Sequence, residues 1–202
     1  MNNSIKLAAL ALVIAATSFS GCKKGTDDPF LSLKSRKSRV AGDWKASAGT
    51  GTMVDGSSST TTTWTFTDPN LVTTVGTFPA VTETYSFTLS IMTDGTYKSV
   101  ETTTIPSNTQ TVTEEGFWNF TGRIGEDKNK DHLVLKAKSQ ITQNSSTSSI
   151  TTYTWTGDDM PSSVWYLQEL KSKEMIVSWD GSSTSGSPAS TDTDKGSWTF
   201  VQ

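Results

Sequence analysis

The chain has 202 residues, with 17 basic and 20 acidic side chains, seven Trp, one His and one Cys. A net charge near −3 argues against a general nucleic-acid binder, which presents a basic face, so no nucleic-acid partner is expected. One His and one Cys leave too few ligands for a Cys/His zinc centre and no partner for an intrachain disulfide, and no cofactor or metal is expected.

At the amino terminus Lys6 precedes an unbroken apolar run, Leu7 to Ala16. The run is too short to cross a bilayer, which takes roughly 20 apolar residues. A basic start, a short apolar core and small residues after it predict a secretory signal peptide over residues 1–21. The run ends Phe19-Ser20-Gly21-Cys22, which resembles the lipobox of bacterial lipoproteins, with Phe19 in place of the more usual Leu. That resemblance implies cleavage before Cys22, a thioether-linked diacylglycerol and an acylated amino terminus. Two or more acyl chains anchor stably, since each buried CH₂ contributes about 0.8 kcal/mol. Asp27 and Asp28 resemble the surface-export signal of Bacteroidetes lipoproteins. The implied location is the outer membrane, lipid-anchored and facing the cell surface, with the periplasmic face as the alternative.

Loss of Lys6 leaves the mature chain with 16 basic and 20 acidic groups. Residues 22–39 hold six of the basic ones (Lys23, Lys24, Lys34, Arg36, Lys37, Arg39) and two of the acidic ones, so 10 face 18 in the remainder. A basic stretch against anionic headgroups adds up to about 1 kcal/mol per residue. Residues 22–39 therefore read either as a membrane-facing tether or as a solvated linker. Phe30, Leu33, Lys37 and Val40 fall at near-helical spacing and predict one short helix.

From Trp44 onward the apolar period is two. Tyr85, Phe87, Leu89 and Ile91 alternate with Thr84, Ser86, Thr88 and Ser90, and Leu133, Leu135 and Ala137 alternate with Lys136 and Lys138. Such alternation means one buried and one wet face, and the abundant Thr suits a pleated surface. Asp94-Gly95 reads as a two-residue hairpin turn and Ser172-Lys173 as a second. Gly125–Lys130 and Gly157–Ser162 read as loops, and Ser182–Ser190 as a mobile Ser/Gly/Pro loop. The expected strands are roughly 42–48, 59–67, 82–92, 96–105, 115–122, 131–142, 148–156, 163–170, 174–180 and 196–201. Ten short strands joined mostly by hairpins hide their edges by closing into an antiparallel up-and-down barrel of about 8–10 strands, or by splitting into a β-sandwich.

Val40-Ala41-Gly42-Asp43-Trp44 resembles the Gly-x-Trp signature of lipocalins. Asp94-Gly-Thr-Tyr97, Glu115-Gly-Phe-Trp118-Asn-Phe120, Leu133-Val-Leu135 and Trp165-Tyr-Leu-Gln-Glu-Leu170 follow in an order similar to the lipocalin-like lipoproteins of Bacteroidetes. The resemblance covers roughly residues 38–202 and implies an all-β domain over 40–202 with a possible apolar cavity. Two features depart from the pattern: no helix follows the last strands, and Gly49–Ser59 is too rich in Gly and Ser to form a helical lid. Independently of the family, a large indole at Trp44 can plug a closed barrel end, and Gly42 can let another backbone approach it.

Little in the sequence points to catalysis. Asp127, Asn129 and Asp131 have the first oxygen positions of a calcium loop, but Lys138 stands where the closing Glu belongs, so a solvated loop is the better reading. His132 is the only possible His base; the alternation points it away from Leu133 and Leu135, as a surface residue. Glu83, Glu101, Glu114, Glu115, Glu169 and Glu174 could supply a glycosidase-like pair, though spacing along the chain does not select one. The protein is expected not to be an enzyme.

Tryptophans are the remaining candidates. Core packing is their default role, with Trp118 and Trp165 favoured for ligand contact or sugar stacking. Their neighbours Phe117 and Tyr166 are the alternates, because only one of each pair can face a barrel interior. The expected function is that of a monomeric, membrane-anchored lipoprotein whose barrel binds a small apolar or amphipathic ligand. The alternative is a non-enzymatic surface module with a filled core, for glycan binding or adhesion.

Overall fold

The computed structural model describes residues 36–122, 131–185 and 190–202. The signal segment, Cys22, most of the basic tether and the whole Gly125–Lys130 loop lie outside them. A short helix α1 (Arg36–Val40) leads into eleven strands: β1 (Gly42–Asp55), β2 (Thr60–Thr67), β3 (Asn70–Val75), β4 (Val81–Ile91), β5 (Thr96–Ile105), β6 (Asn108–Gly122), β7 (Asp131–Asn144), β8 (Ser149–Thr154), β9 (Ser162–Leu170), β10 (Glu174–Ser185) and β11 (Ser190–Val201). A 3₁₀ turn at Gly157–Asp159 separates β8 from β9.

Every neighbouring pair is antiparallel, and β11 returns to β1. Ten strands close into a barrel in the order β1-β2-β3-β4-β5-β6-β7-β9-β10-β11, with β8 attached outside the ring to the end of β7. The sandwich alternative is therefore excluded. The driving force is the period-two pattern, which gives each strand one apolar face and leaves ring closure as the way to bury all of them together.

Several expected boundaries move. β1 continues through Gly49 and Gly51 to Asp55, and a bulge between Ala46 and Ala48 shifts its inward face from even to odd positions. The segment Asn70–Val75, expected as connection, is strand β3, paired on both sides. Residues 182–185 and those from Ser190 extend β10 and β11, so the expected mobile loop is largely a paired ribbon. The Asp94-Gly95 turn is a four-residue connection, Met92–Gly95, closed by Met92 N–H donating to the Thr96 carbonyl at 2.9 Å. Ser172-Lys173 is the expected tight turn, with Lys171 N–H donating to the Glu174 carbonyl at 2.8 Å.

One barrel end is sealed. Trp44 is 2% exposed and donates its indole N–H to the Val40 carbonyl at 2.7 Å. Arg39 Nη1 donates to the Leu170 carbonyl at 2.8 Å, tying α1 across the opening. Trp118 is 4% exposed, donates to the Met92 carbonyl at 2.7 Å, and carries the Lys37 ammonium 5.6 Å above its ring. Gly42 has φ +154°, a backbone setting that disfavours side chains, and its neighbour is the Gln202 side chain rather than the expected backbone.

Candidate functional site

At the other end the barrel wall parts. β9 pairs with β10 only from Tyr166 to Leu170, and β10 runs on beyond Ser178 with β11 as its remaining partner. β8, which continues the wall above β9, pairs with β7 alone. A slot therefore opens between Ser163–Trp165 of β9 and Trp179–Gly181 of β10. It leads to a cleft of about 450 Å³ lined by Trp165, Trp179, Trp198, Asp180 and Asp194, within the size range of small-molecule sites.

The register explains why indoles gather here. Trp64 of β2, Gly51 of β1, Gly196 of β11 and Trp179 of β10 form one row across four strands, all on the inward face. A Cβ at Gly51 would run into the Trp64 ring, and one at Gly196 into the Trp179 ring. The two glycines thus make room for two indoles to lie over the sheet and face each other, with centroids 6.0 Å apart and planes 15° apart. One step deeper, Gly49 performs the same service for Trp198, which sits 4.7 Å from Trp64 and packs edge-on against Phe66 and Phe87. Trp165 stacks on Phe200 at 6.1 Å and closes the cleft from the β9 side.

The polar wall lies opposite. Tyr85 stacks on Trp198 at 6.0 Å and donates its hydroxyl to Glu101 at 2.8 Å. Tyr97 donates to Glu114 at 2.6 Å. Glu101 and Glu114 are diagonal neighbours on the inward faces of β5 and β6, given the Ser99–Glu114 and Glu101–Val112 pairings. Burial pushes the Glu101 carboxyl above its ordinary range, the Glu114 charge pushes the same way, and the Tyr85 hydrogen bond opposes both. Burial also raises the Tyr85 hydroxyl, with the Glu101 charge adding to it.

Of the residues singled out in the sequence, Trp165 lines the cleft and Tyr166 faces outward beside it, while Trp118 belongs to the sealed end and Phe117 points outward at 46% exposure. The inside–outside division within each pair is as expected, but the two pairs do not share one site. Gly42 and Trp44 lie at the sealed end. His132 does face outward, yet it is 9% exposed rather than a surface residue, because Tyr166 covers it edge-on at 4.9 Å. Glu83, Glu101 and Glu114 face inward, whereas Glu115 pairs with Lys98 at 3.0 Å, and Glu169 and Glu174 both pair with Lys171. Among the described residues no group of three or more His, Cys, Asp or Glu could hold a metal ion.

The residues that sequence reasoning missed are Gly51, Gly196, Trp64, Trp179 and Asp194. Their signal was the Gly49-x-Gly51 step, read against Trp64-x-Phe66 and Trp198-x-Phe200. No protein-family model, curated protein or solved structure matches this chain.

Proposed function

We propose that the protein is a membrane-tethered binding protein that takes one small, flat apolar or amphipathic ligand into the cleft between β9 and β10. The observation that carries this reading is the pair of half-buried indoles Trp165 and Trp179 at an opening in the barrel rather than in its sealed core, with half-buried Trp64 stacked on Trp179 behind them. Indoles kept partly in water give up stabilisation that full burial would supply, so their placement at a mouth suits a ligand that completes the burial. Among the described residues nothing accepts a hydrogen bond from the N–H of these three indoles, whereas Trp44 and Trp118 both find backbone carbonyls. The tether rests on the signal segment and Cys22, whose acylation would hold the barrel at the outer membrane as a monomer.

The mature chain, purified from cells that make it, is expected to carry a stoichiometric small molecule in native mass spectrometry, or to show saturable tryptophan quenching with a sterol, a neutral phenol or an alkylammonium amphiphile. Neither outcome with any of these compounds would remove the reading. A peptide containing Cys22 is expected to carry the added mass of acyl chains, and an unmodified Cys22 would remove the tether.

A second reading, a glycan-binding or adhesive surface module, is favoured by one feature. Tyr153 of the external strand β8 and Trp155 just after it stack at 6.1 Å with planes 14° apart, and Tyr153 is 51% exposed. Glycan-array binding that is lost in Trp155→Ala and kept in Trp179→Ala would select it.

A further inference from the structure

We infer that the ligand of the β9–β10 cleft carries a positive charge, as a quaternary or protonated amine attached to an apolar body. This deepens the binding proposal and rests on it.

The inference comes from the sign of the charges on the inward face. Inward positions carry Glu83, Glu101, Glu114 and Asp194. Every lysine in a described strand (Lys45, Lys98, Lys136, Lys138, Lys195) is exposed; none lines the β9–β10 cleft, and Lys195 borders the adjoining groove over Trp64 and Trp179, where it opposes Asp180. A cleft whose charged lining, among the described residues, is Asp180 and Asp194, with low-dielectric aromatic walls, focuses a potential that draws in cations and repels fatty-acid carboxylates.

The indoles reinforce the same preference. A cation is attracted to the face of an aromatic ring, most strongly to Trp, by about 0.5–1 kcal/mol when exposed and about 2 or more when desolvated. Trp165, Trp179 and Trp198 line the cleft together with Asp194, which lies on the inward face of β11 one row above Gly196, and Trp64 stacks on Trp179. Aromatic faces with a carboxylate beside them are the chemistry that recognises alkylammonium groups. Asp180 sits at the rim but opposes Lys195 across β10 and β11, so it contributes less. A neutral sugar would also stack on indoles; its recognition would not require charges of one sign.

A matched trio of phenols separates these cases: 3-hydroxyphenyltrimethylammonium, its carbon isostere 3-tert-butylphenol, and the anion 3-hydroxybenzoate, titrated into the full mature protein by calorimetry and tryptophan fluorescence. The cation is expected to bind at least about tenfold more tightly than the isostere, more weakly in high salt, and the anion is expected not to bind. Asp194→Asn should bring the cation down toward the isostere while leaving the isostere's affinity unchanged. Equal binding of cation and isostere would overturn the charge assignment and leave the apolar cleft standing. Binding of a neutral oligosaccharide but of none of the trio would also overturn it. No binding of any compound, with a folded protein, would overturn the cleft proposal itself.

Discussion

The two ends of this barrel use the same residue type in opposite ways. At the sealed end Trp44 and Trp118 are buried, their N–H groups are bonded to the carbonyls of Val40 and Met92, and α1 is tied over them by Arg39. At the slotted end Trp64, Trp165 and Trp179 are half-buried, and room for two of them is made by glycines that a packed core would have filled with side chains. Polar satisfaction and full burial mark an indole that stabilises the fold. Partial burial over a glycine floor marks one positioned for something else. The difference lies in what surrounds each ring, since both sets occupy inward positions of alternating strands.

That contrast can be broken most forcefully at the sealed end. Trp44→Ala should cost about 3–5 kcal/mol, the range for deleting a buried aromatic, read as a lower urea midpoint with unchanged slope. A cost below about 1 kcal/mol would mean that this end is not the keystone described. Gly196→Val places a branched side chain beneath the Trp179 ring. It should cost about 1–3 kcal/mol through displaced packing and should also alter the tryptophan near-ultraviolet circular dichroism, because the stacked pair must separate. Trp179→Ala should cost only about 1 kcal/mol, yet remove saturable ligand quenching. If instead it destabilised the fold as much as Trp44→Ala, the two ends would be energetically alike.

The smallest effect concerns pH. Glu101 has a raised folded-state pKa, so between its unfolded and folded values the native protein holds more protons than the unfolded chain. Its contribution to stability is therefore lost as pH rises through the folded value and restored below the unfolded one, about 4.3. Glu101→Gln keeps an acceptor for the Tyr85 hydroxyl and abolishes the charge. Its melting temperature should exceed the wild type's by a few degrees at neutral pH, and the gap should close below about pH 4. A gap that widened in acid would give the opposite sign and reject the cause assigned to Glu101.

Much of the sealed end could be read directly from the sequence. Gly42-x-Trp44 and the alternation over Tyr85–Ile91 and Leu133–Ala137 are local patterns, and local patterns determine which face of a strand is buried. The slotted end was harder to read because its features are non-local. Gly49 and Gly51 look like loop residues along the chain; they become strand once Trp64 and Trp198 arrive from β2 and β11 to fill the missing side-chain space. Strand β3 is hard to read because Asn70–Val75 has six residues, with Leu71 and Val72 adjacent rather than alternating, and its two partners hold it in place. Trp118 and Trp165 were indistinguishable as sequence, each beside another aromatic, and only the parting of β9 from β10 separates the core residue from the cleft residue.

The central claim is that the indoles divide into a sealed set and an accessible set. Acrylamide quenching of tryptophan emission in Trp118→Phe and Trp179→Phe tests it directly. The readily quenched fraction should fall in Trp179→Phe and stay unchanged in Trp118→Phe. A loss confined to Trp118→Phe, or an equal loss in both, would contradict the account.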